Sequence, residues 1–266
     1  MTTLGATCLP QVPPESLRDV ALAADEVGLD ELWLWEDCFW GGAVPACAAA
    51  LAWTASLRVG IGVLPVPLRN AATAAMDTAM LHRLFPGRVT IGVGHGVEDW
   101  MRQVGVGAES PMTLLCEYVV ALRALLAGDR VTVDGRYVRL DDVALKWPAP
   151  APTPILLAAR GPRTLRLSGA AADGTVLDGS TELDAIRQAR GFIDEGRAAA
   201  GRTDEHLLVV YLETDGRDAA SAASRVQGLA KAGVGTVVLY PSRDSPAAAD
   251  PAGFVRFTAS EVRPLL

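Results

Sequence analysis

Two hydrophobic periods alternate along the chain. Leu4 to Leu9 is an apolar run of strand length, and after Pro13-Pro14 the residues Leu17, Val20, Ala21, Ala24 and Val27 recur at helical spacing until Gly28. Glu31 to Trp35 predicts a second strand, a helix follows Pro45, and Val59 to Leu64 predicts a third strand. The next helix places Ala72, Met76, Met80 and Leu84 on one apolar face. Pro86-Gly87 then turns into GRVTIGVGHG, whose β-branched Val89, Thr90, Ile91 and Val93 predict strand four.

Beyond strand four the spacing lengthens. A loop leads to a helix with Leu115, Val119, Leu122 and Leu126 on one side, then to VTVDGRYVRL, whose Asp134-Gly135 centre predicts a two-residue hairpin turn inserted into the alternation. Pro148, Pro150, Pro152 and Pro154 form a stiff approach to strand five, Ile155 to Ala159. Pro162 opens a helix and Thr175 to Leu177 reads as strand six. Leu183, Ile186, Ala189 and Ile193 stripe a helix that ends near Gly201. Leu207 to Leu212 is strand seven. Ala222, Val226, Leu229 and Ala230 then precede strand eight, Thr236 to Tyr240, and a last helix spans Phe254 to Leu265. Eight strand-helix units with near-continuously apolar strands predict an α/β TIM barrel, residues 1–266 as a single domain, with a small β-hairpin insertion after helix four. A doubly wound open sheet is the alternative arrangement.

With 266 residues, half of them hydrophobic, and a mean hydropathy of +0.24, the chain can bury one large core. A net charge of -7, with the 24 Lys and Arg scattered, argues against a nucleic-acid partner and leaves small molecules. Met1 to Leu9 has neither a basic start nor a long apolar run, so a cytoplasmic location is expected. Cys38 to Leu57 is uncharged and long enough to cross a bilayer, but Gly41, Gly42, Pro45 and the alanine tract favour a loop and a buried, small-faced helix; no membrane partner is expected. Cys8, Cys38, Cys47 and Cys116 form no CxxC pair and sit in apolar surroundings, so reduced thiols are expected. With only three histidines, no metal site is expected.

In a barrel, functional residues sit where strands end. That rule selects Cys8, Glu36 to Trp40, Leu64 to Pro67, Gly94 to Trp100, Arg160 and Gly161, Asp178 and Gly179, Glu213 and Tyr240. Asp37 is either a ligand or a loop cap. His95 lies between two glycines, which leave its imidazole unshielded. Arg160-Gly161-Pro162 couples a cation to a helix N-terminus, where free amides and the dipole favour an anion. Trp40 and Trp100 fall in strand-to-helix loops as flat walls for a planar ring, while Trp33, Trp35, Trp53, Trp147 and Tyr240 are expected to be packing.

The segments ELWLWEDCFW, GIGVLPVPLRN, LHRLFPGRVTIGVGHG, GDRVTVDGRYVRL and AARGPRTLRLSGAAADGTVLD together carry a resemblance that covers nearly the whole chain. The chain resembles the bacterial luciferase-like monooxygenase superfamily, and within it the branch that uses the deazaflavin coenzyme F-420 (F420). The resemblance implies a barrel, commonly homodimeric, that holds a deazaflavin or flavin at the C-terminal strand ends. It also implies a backbone bulge, often a non-proline cis peptide, at Gly62-Val63 behind the ring. Residue by residue, it places Asp37 near the ring, Gly94, His95 and Gly96 along its border, and Ala159, Arg160 and Gly161 at the cofactor phosphate. Where related sugar-phosphate dehydrogenases have Asp-His after strand two, this chain has Asp37-Cys38, and Val97 stands where they have a Glu, so their acid-base pair is missing. The segment between strands seven and eight lacks the insertion that often covers the pocket.

The expected activity is hydride transfer between bound F420 and a small organic substrate. Asp37 and His95 are the candidate catalytic groups, and Cys8, Cys38, Trp40 and Trp100 the candidate substrate contacts. FMN is the alternative cofactor, for a reduced-FMN monooxygenase, and a non-catalytic flavin-binding protein is the second alternative. Gly62 is expected to be glycine because strand three must bring its backbone flat against the ring.

Overall fold

The strand-helix units close on themselves. In the computed structural model, which describes residues 2–266, eight parallel strands form a closed barrel. Their order is β1 (Thr3–Cys8), β10 (Thr236–Pro241), β9 (Leu207–Thr214), β8 (Gly174–Leu177), β7 (Ile155–Ala159), β4 (Val89–Gly94), β3 (Arg58–Pro65) and β2 (Glu31–Leu34), which pairs back to β1. The remaining strands, β5 (Val131–Asp134) and β6 (Arg139–Val143), pair antiparallel with each other in a separate two-stranded sheet.

Alternation along each strand divides the core into two layers. Leu4, Ala6 and Cys8 of β1 point outward into the cluster shared with the helices, beside Val20, Ala21 and Ala24 of α1 (Leu17–Glu26). Inside the barrel a second cluster is built from Trp33, Leu156, Val176, Val209 and Val238. Trp33 is fully buried, and its indole lies over glycines on neighbouring strands: a Cβ at Gly60 would come within 2.5 Å of the ring, and one at Gly5 within 3.1 Å. Its Nε1 donates to Glu31 Oε2 at 2.9 Å, and burial pushes the Glu31 carboxyl up.

Three elements differ from the sequence pattern for tertiary reasons. The apolar stripe Met76, Met80 and Leu84 of α3 (Ala71–Leu84) faces solvent, with 61%, 56% and 61% exposure. The face that packs inward is Ala71, Ala74, Ala75, Thr78, Ala79, Leu81 and His82, mostly small side chains. The hairpin turn is not the two-residue Asp134-Gly135: pairing reaches Asp134–Arg139, leaving Gly135 to Val138 as the loop. Glu117 of α5 (Pro111–Ala127) organises that loop, its carboxylate accepting the N–H groups of Arg136, Tyr137 and Val138 at 2.9–3.0 Å. The last helix, expected from Phe254, starts earlier as α10 (Pro251–Arg256), after the short α9 (Pro246–Ala249), and passes into a π-helical turn and a final 3-10 turn.

Of the other candidate features, Cys38 to Leu57 contains α2 (Ala43–Trp53), and no helix among the described residues is long and apolar enough to cross a membrane. Cys8 and Cys47 are buried and Cys38 half-buried, but Cys116 is exposed on α5, contrary to its expected apolar surroundings.

At the N-terminal end of the barrel the Thr175 hydroxyl joins His206 Nε2 at 2.9 Å and Ser168 Oγ at 2.7 Å. Burial, with Arg197, Arg202 and Arg190 nearby, lowers the His206 pKa to about 4. The unfolded value is about 6.5, so between the two the unfolded chain binds the extra proton. Stability is therefore full above about pH 6.5 and is lost as pH falls toward 4. We expect the wild-type melting temperature to drop between pH 7 and 5, and His206→Gln to drop less over the same range in differential scanning calorimetry. Equal slopes would remove His206 from the acid response.

Candidate functional site

A cavity of about 540 Å³ opens at the C-terminal end of the barrel. Its position follows from alternation carried past the strand ends. Trp35 continues the inward positions of β2, Tyr211 those of β9, Tyr240 those of β10, and Ala158 and Arg160 those of β7. The aromatic members stack edge to face in a column: Trp33 and Tyr211 have ring centroids 6.0 Å apart, Tyr211 and Trp35 5.1 Å, and Trp35 and Tyr240 5.4 Å. The Trp35 indole Nε1 is buried without a partner among the described residues.

The opposite wall is built around β3. The Gly62-Val63 peptide is cis, as the resemblance implied, and the register between β3 and β4 shifts between Ile61 and Leu64. Tyr211 Oη donates to the Gly62 carbonyl at 3.1 Å. A Cβ at Gly62 would meet Tyr211 Oη at 2.0 Å and the Trp33 ring at 2.9 Å. The space at Gly62 is thus taken by the barrel interior rather than left for a ligand, which corrects the reason expected from the sequence. The Val63 side chain sits on β4, where a Cβ at Gly92 would lie 2.7 Å from it and one at Gly94 2.8 Å. Gly92 and Gly94 therefore make room for Val63, which faces the cavity, whereas Gly96 packs against Pro65 and Met101.

The loop after β2 is held by an ion pair between buried Glu36 and half-buried Arg69. Glu36 Oε1 accepts from Arg69 at 2.7 Å and Oε2 accepts the Ala43 N–H at 2.8 Å. The pair fixes Asp37, the next residue, at the cavity edge. Burial raises the Asp37 pKa, with Arg243 opposing the rise. His95 also lines the cavity, and burial lowers its pKa while the Pro111 backbone partly offsets this. Its Nδ1 is buried without a partner among the described residues. A second non-proline cis peptide joins Cys38 and Phe39.

On the remaining side, α6 (Pro162–Ala171) starts with Gly161 at its N-cap and no side-chain cap. Its first amides are left free for an anion. Arg160 stands beside them, its guanidinium held at the exposed rim by the Asp178 carboxylate and carbonyl, each at 3.0 Å.

Of the sequence-selected residues, Asp37, Gly62, Val63, His95, Gly96, Trp100, Ala159, Arg160 and Gly161 line this one cavity. Gly94 lies beneath Val63 instead. Trp40 lines an adjoining groove. Cys38 lines neither space, and Cys8 is turned to the helix layer, where burial raises its thiol to about 11. Sequence reasoning missed Tyr211 and read Trp35 and Tyr240 as packing. The inward register shared with Trp33, Val209 and Val238 is the signal that locates them, and it also turns Cys8 away.

The model of the luciferase-like monooxygenase family matches residues 1–232. The chain is 30% identical over 255 residues to 5,10-methylenetetrahydromethanopterin reductase of Methanolobus tindarius, covering 92% of this chain and 76% of that one. It is 33% identical over 213 residues to an F420-dependent glucose-6-phosphate dehydrogenase of Kineococcus radiotolerans, covering 74% of this chain and 62% of the relative. Its fold matches the coenzyme F420-dependent tetrahydromethanopterin reductase of Methanopyrus kandleri with a TM-score of 0.84 at 19% identity, over 99% of each chain.

The contacts around Gly62 make a quantitative expectation. Gly62→Ala overpacks the barrel and costs about 1–3 kcal/mol in urea unfolding. Tyr211→Phe removes the clashing oxygen together with one hydrogen bond, so the double variant is less destabilised than the sum of the two single variants. Strict additivity would show that Tyr211 does not set the space at position 62.

Proposed function

Because the chain belongs to the luciferase-like monooxygenase family, we propose that it is an F420-dependent oxidoreductase that transfers a hydride between the deazaflavin and a small organic substrate. The observation that carries this reading is the cavity itself: the cis Gly62-Val63 bulge on one wall faces uncapped helix amides beside Arg160 at the rim, in a chain related by sequence to F420-dependent enzymes. The residues present fit such a group. Val63 and Ala158 offer a flat apolar support, the α6 N-terminus and Arg160 an anion site, and His95 Nδ1 and Trp35 Nε1, unpartnered among the described residues, polar contacts for a heterocycle.

When bound, the deazaflavin supplies the hydride chemistry. The chain's part is placement and proton handling. Asp37, raised by burial, can hold a proton at its carboxyl at the cavity edge, and His95, lowered by burial, stays neutral near pH 7 and can accept or donate a hydrogen bond there. Glu36 and Arg69 keep Asp37 in position. The four free thiols fit a cytoplasmic location, and residues 1–266 act as a single unit in this reading.

We also infer a homodimer. Met76, Met80 and Leu84 are exposed at successive turns of α3, and Val120 of the adjacent α5 is 59% exposed. A patch of four large apolar side chains on a soluble barrel is the surface a second copy would cover.

Two outcomes check these readings. In fluorescence titrations F420 binds more tightly than FMN, and Arg160→Ala weakens F420 by about ten- to a hundred-fold with an unchanged melting temperature, the scale of a lost charge-assisted hydrogen bond; tighter FMN binding would move the protein to the monooxygenase reading. In sedimentation velocity the wild type runs as a dimer and Met80→Glu as a monomer, whereas a monomeric wild type would remove the dimer.

A further inference from the structure

A second cavity, about 830 Å³, adjoins the first, and Asp37 and Trp100 line both. It runs between the loop that follows β1 and the segment that follows β10. Its surface is mostly apolar, with Leu9, Val12, Pro13, Trp40, Pro246 and Ala248 along it. Trp40 is 59% exposed, an indole face left open to solvent. The indole offers a flat apolar surface to a planar group laid against it.

The charges in this groove are few and specific. Arg243 is the only cation among its lining residues, and its guanidinium makes no ion pair or hydrogen bond with any described residue. Most arginines of the chain have such a partner, as Arg69, Arg123, Arg160 and Arg202 do. The two lysines of the chain, Lys146 and Lys231, lie elsewhere. Asp37 and Asp244 also line the groove. Arg243 is thus the one group in the groove that can pair with an anion, and with Asp37 and Asp244 beside it the groove holds no surplus of positive charge for a doubly charged phosphate. Its uncharged polar side chains are Gln11, Ser16 and Ser245, set in a mostly apolar surface that suits a largely apolar body better than a ring of sugar hydroxyls.

We propose that this groove is the substrate site for a flat, largely apolar molecule that bears one carboxylate. The carboxylate pairs with Arg243, the body lies against Trp40 and Trp100, and the far end reaches Asp37, where the groove meets the first cavity. The inference rests on the reading of that first cavity as the F420 site, and it names the substrate class that the site selects.

Isothermal titration of the F420-loaded protein tests it, with 2-naphthoate, the neutral 2-naphthamide and glucose 6-phosphate as probes. The expected result is one-to-one binding of 2-naphthoate and none of glucose 6-phosphate. Arg243→Met should weaken naphthoate about ten-fold or more while leaving naphthamide unchanged, the signature of a charge-assisted contact. Trp40→Ala should weaken both aromatic probes, and neither variant should alter F420 affinity or the melting temperature. Equal naphthoate affinity in Arg243→Met, preference for glucose 6-phosphate, or no naphthoate binding by a protein that holds F420 would each overturn the proposal and leave the cofactor reading standing. If the protein holds no F420, the cofactor reading fails, and the same titration of the unloaded chain decides the groove. There, Arg243-dependent naphthoate binding supports the site and its absence overturns it.

Discussion

A bulky indole inside an eight-stranded barrel needs both room and a hydrogen-bond acceptor. Trp33 receives the room from Gly5 and Gly60 on the flanking strands and the acceptor from Glu31 two residues away. Its ring leaves no place for a side chain at Gly62, and Tyr211, packed edge-on against it, fills the remaining space and bonds the Gly62 carbonyl. The wall of the cavity is therefore the upper surface of the barrel's packing. Trp35 and Tyr240 extend the same aromatic column to the mouth, so stability and site shape are set by one set of contacts.

On that aromatic and glycine scaffold the charged groups are placed by the loops. The Glu36–Arg69 pair ties the loop after β2 to the segment after β3 and leaves Asp37 at the junction of two cavities. Asp178 restrains Arg160 at the rim, while Arg243 faces the outer groove without a partner among the described residues. One cavity thus combines an apolar wall with uncapped helix amides and Arg160 at its edge, and the other is an apolar slot with a single cation. This division suits a two-ligand reaction in which the protein chiefly orients two planar molecules against each other.

The strands were legible because a parallel barrel buries both faces of each strand, so their hydrophobicity is continuous and survives any helix register. Helix existence was legible for the same reason of periodicity. Which helix face points inward was not, in α3. There the large residues Met76, Met80 and Leu84 form the more obvious stripe, while the barrel accepts the alanine face, because close packing favours small side chains. The hairpin turn was misplaced because Glu117, distant in sequence, supplies the acceptors that a local Asp-Gly turn would have made unnecessary.

At the site, the sequence by itself determined the strand ends and hence His95, Arg160 and Asp37, since polar or glycine-flanked residues after a buried strand have few other places to go. It also supplied the glycines of GVGHG. Only the tertiary structure decided what those glycines accommodate, that Cys8 faces the helices, and that Tyr211 meets Gly62, residues 149 positions apart. The physical reason is that patterning fixes the type and spacing of elements through local geometry. The space beside a glycine and the partner of a buried hydroxyl, by contrast, depend on which side chain another strand brings to the same point.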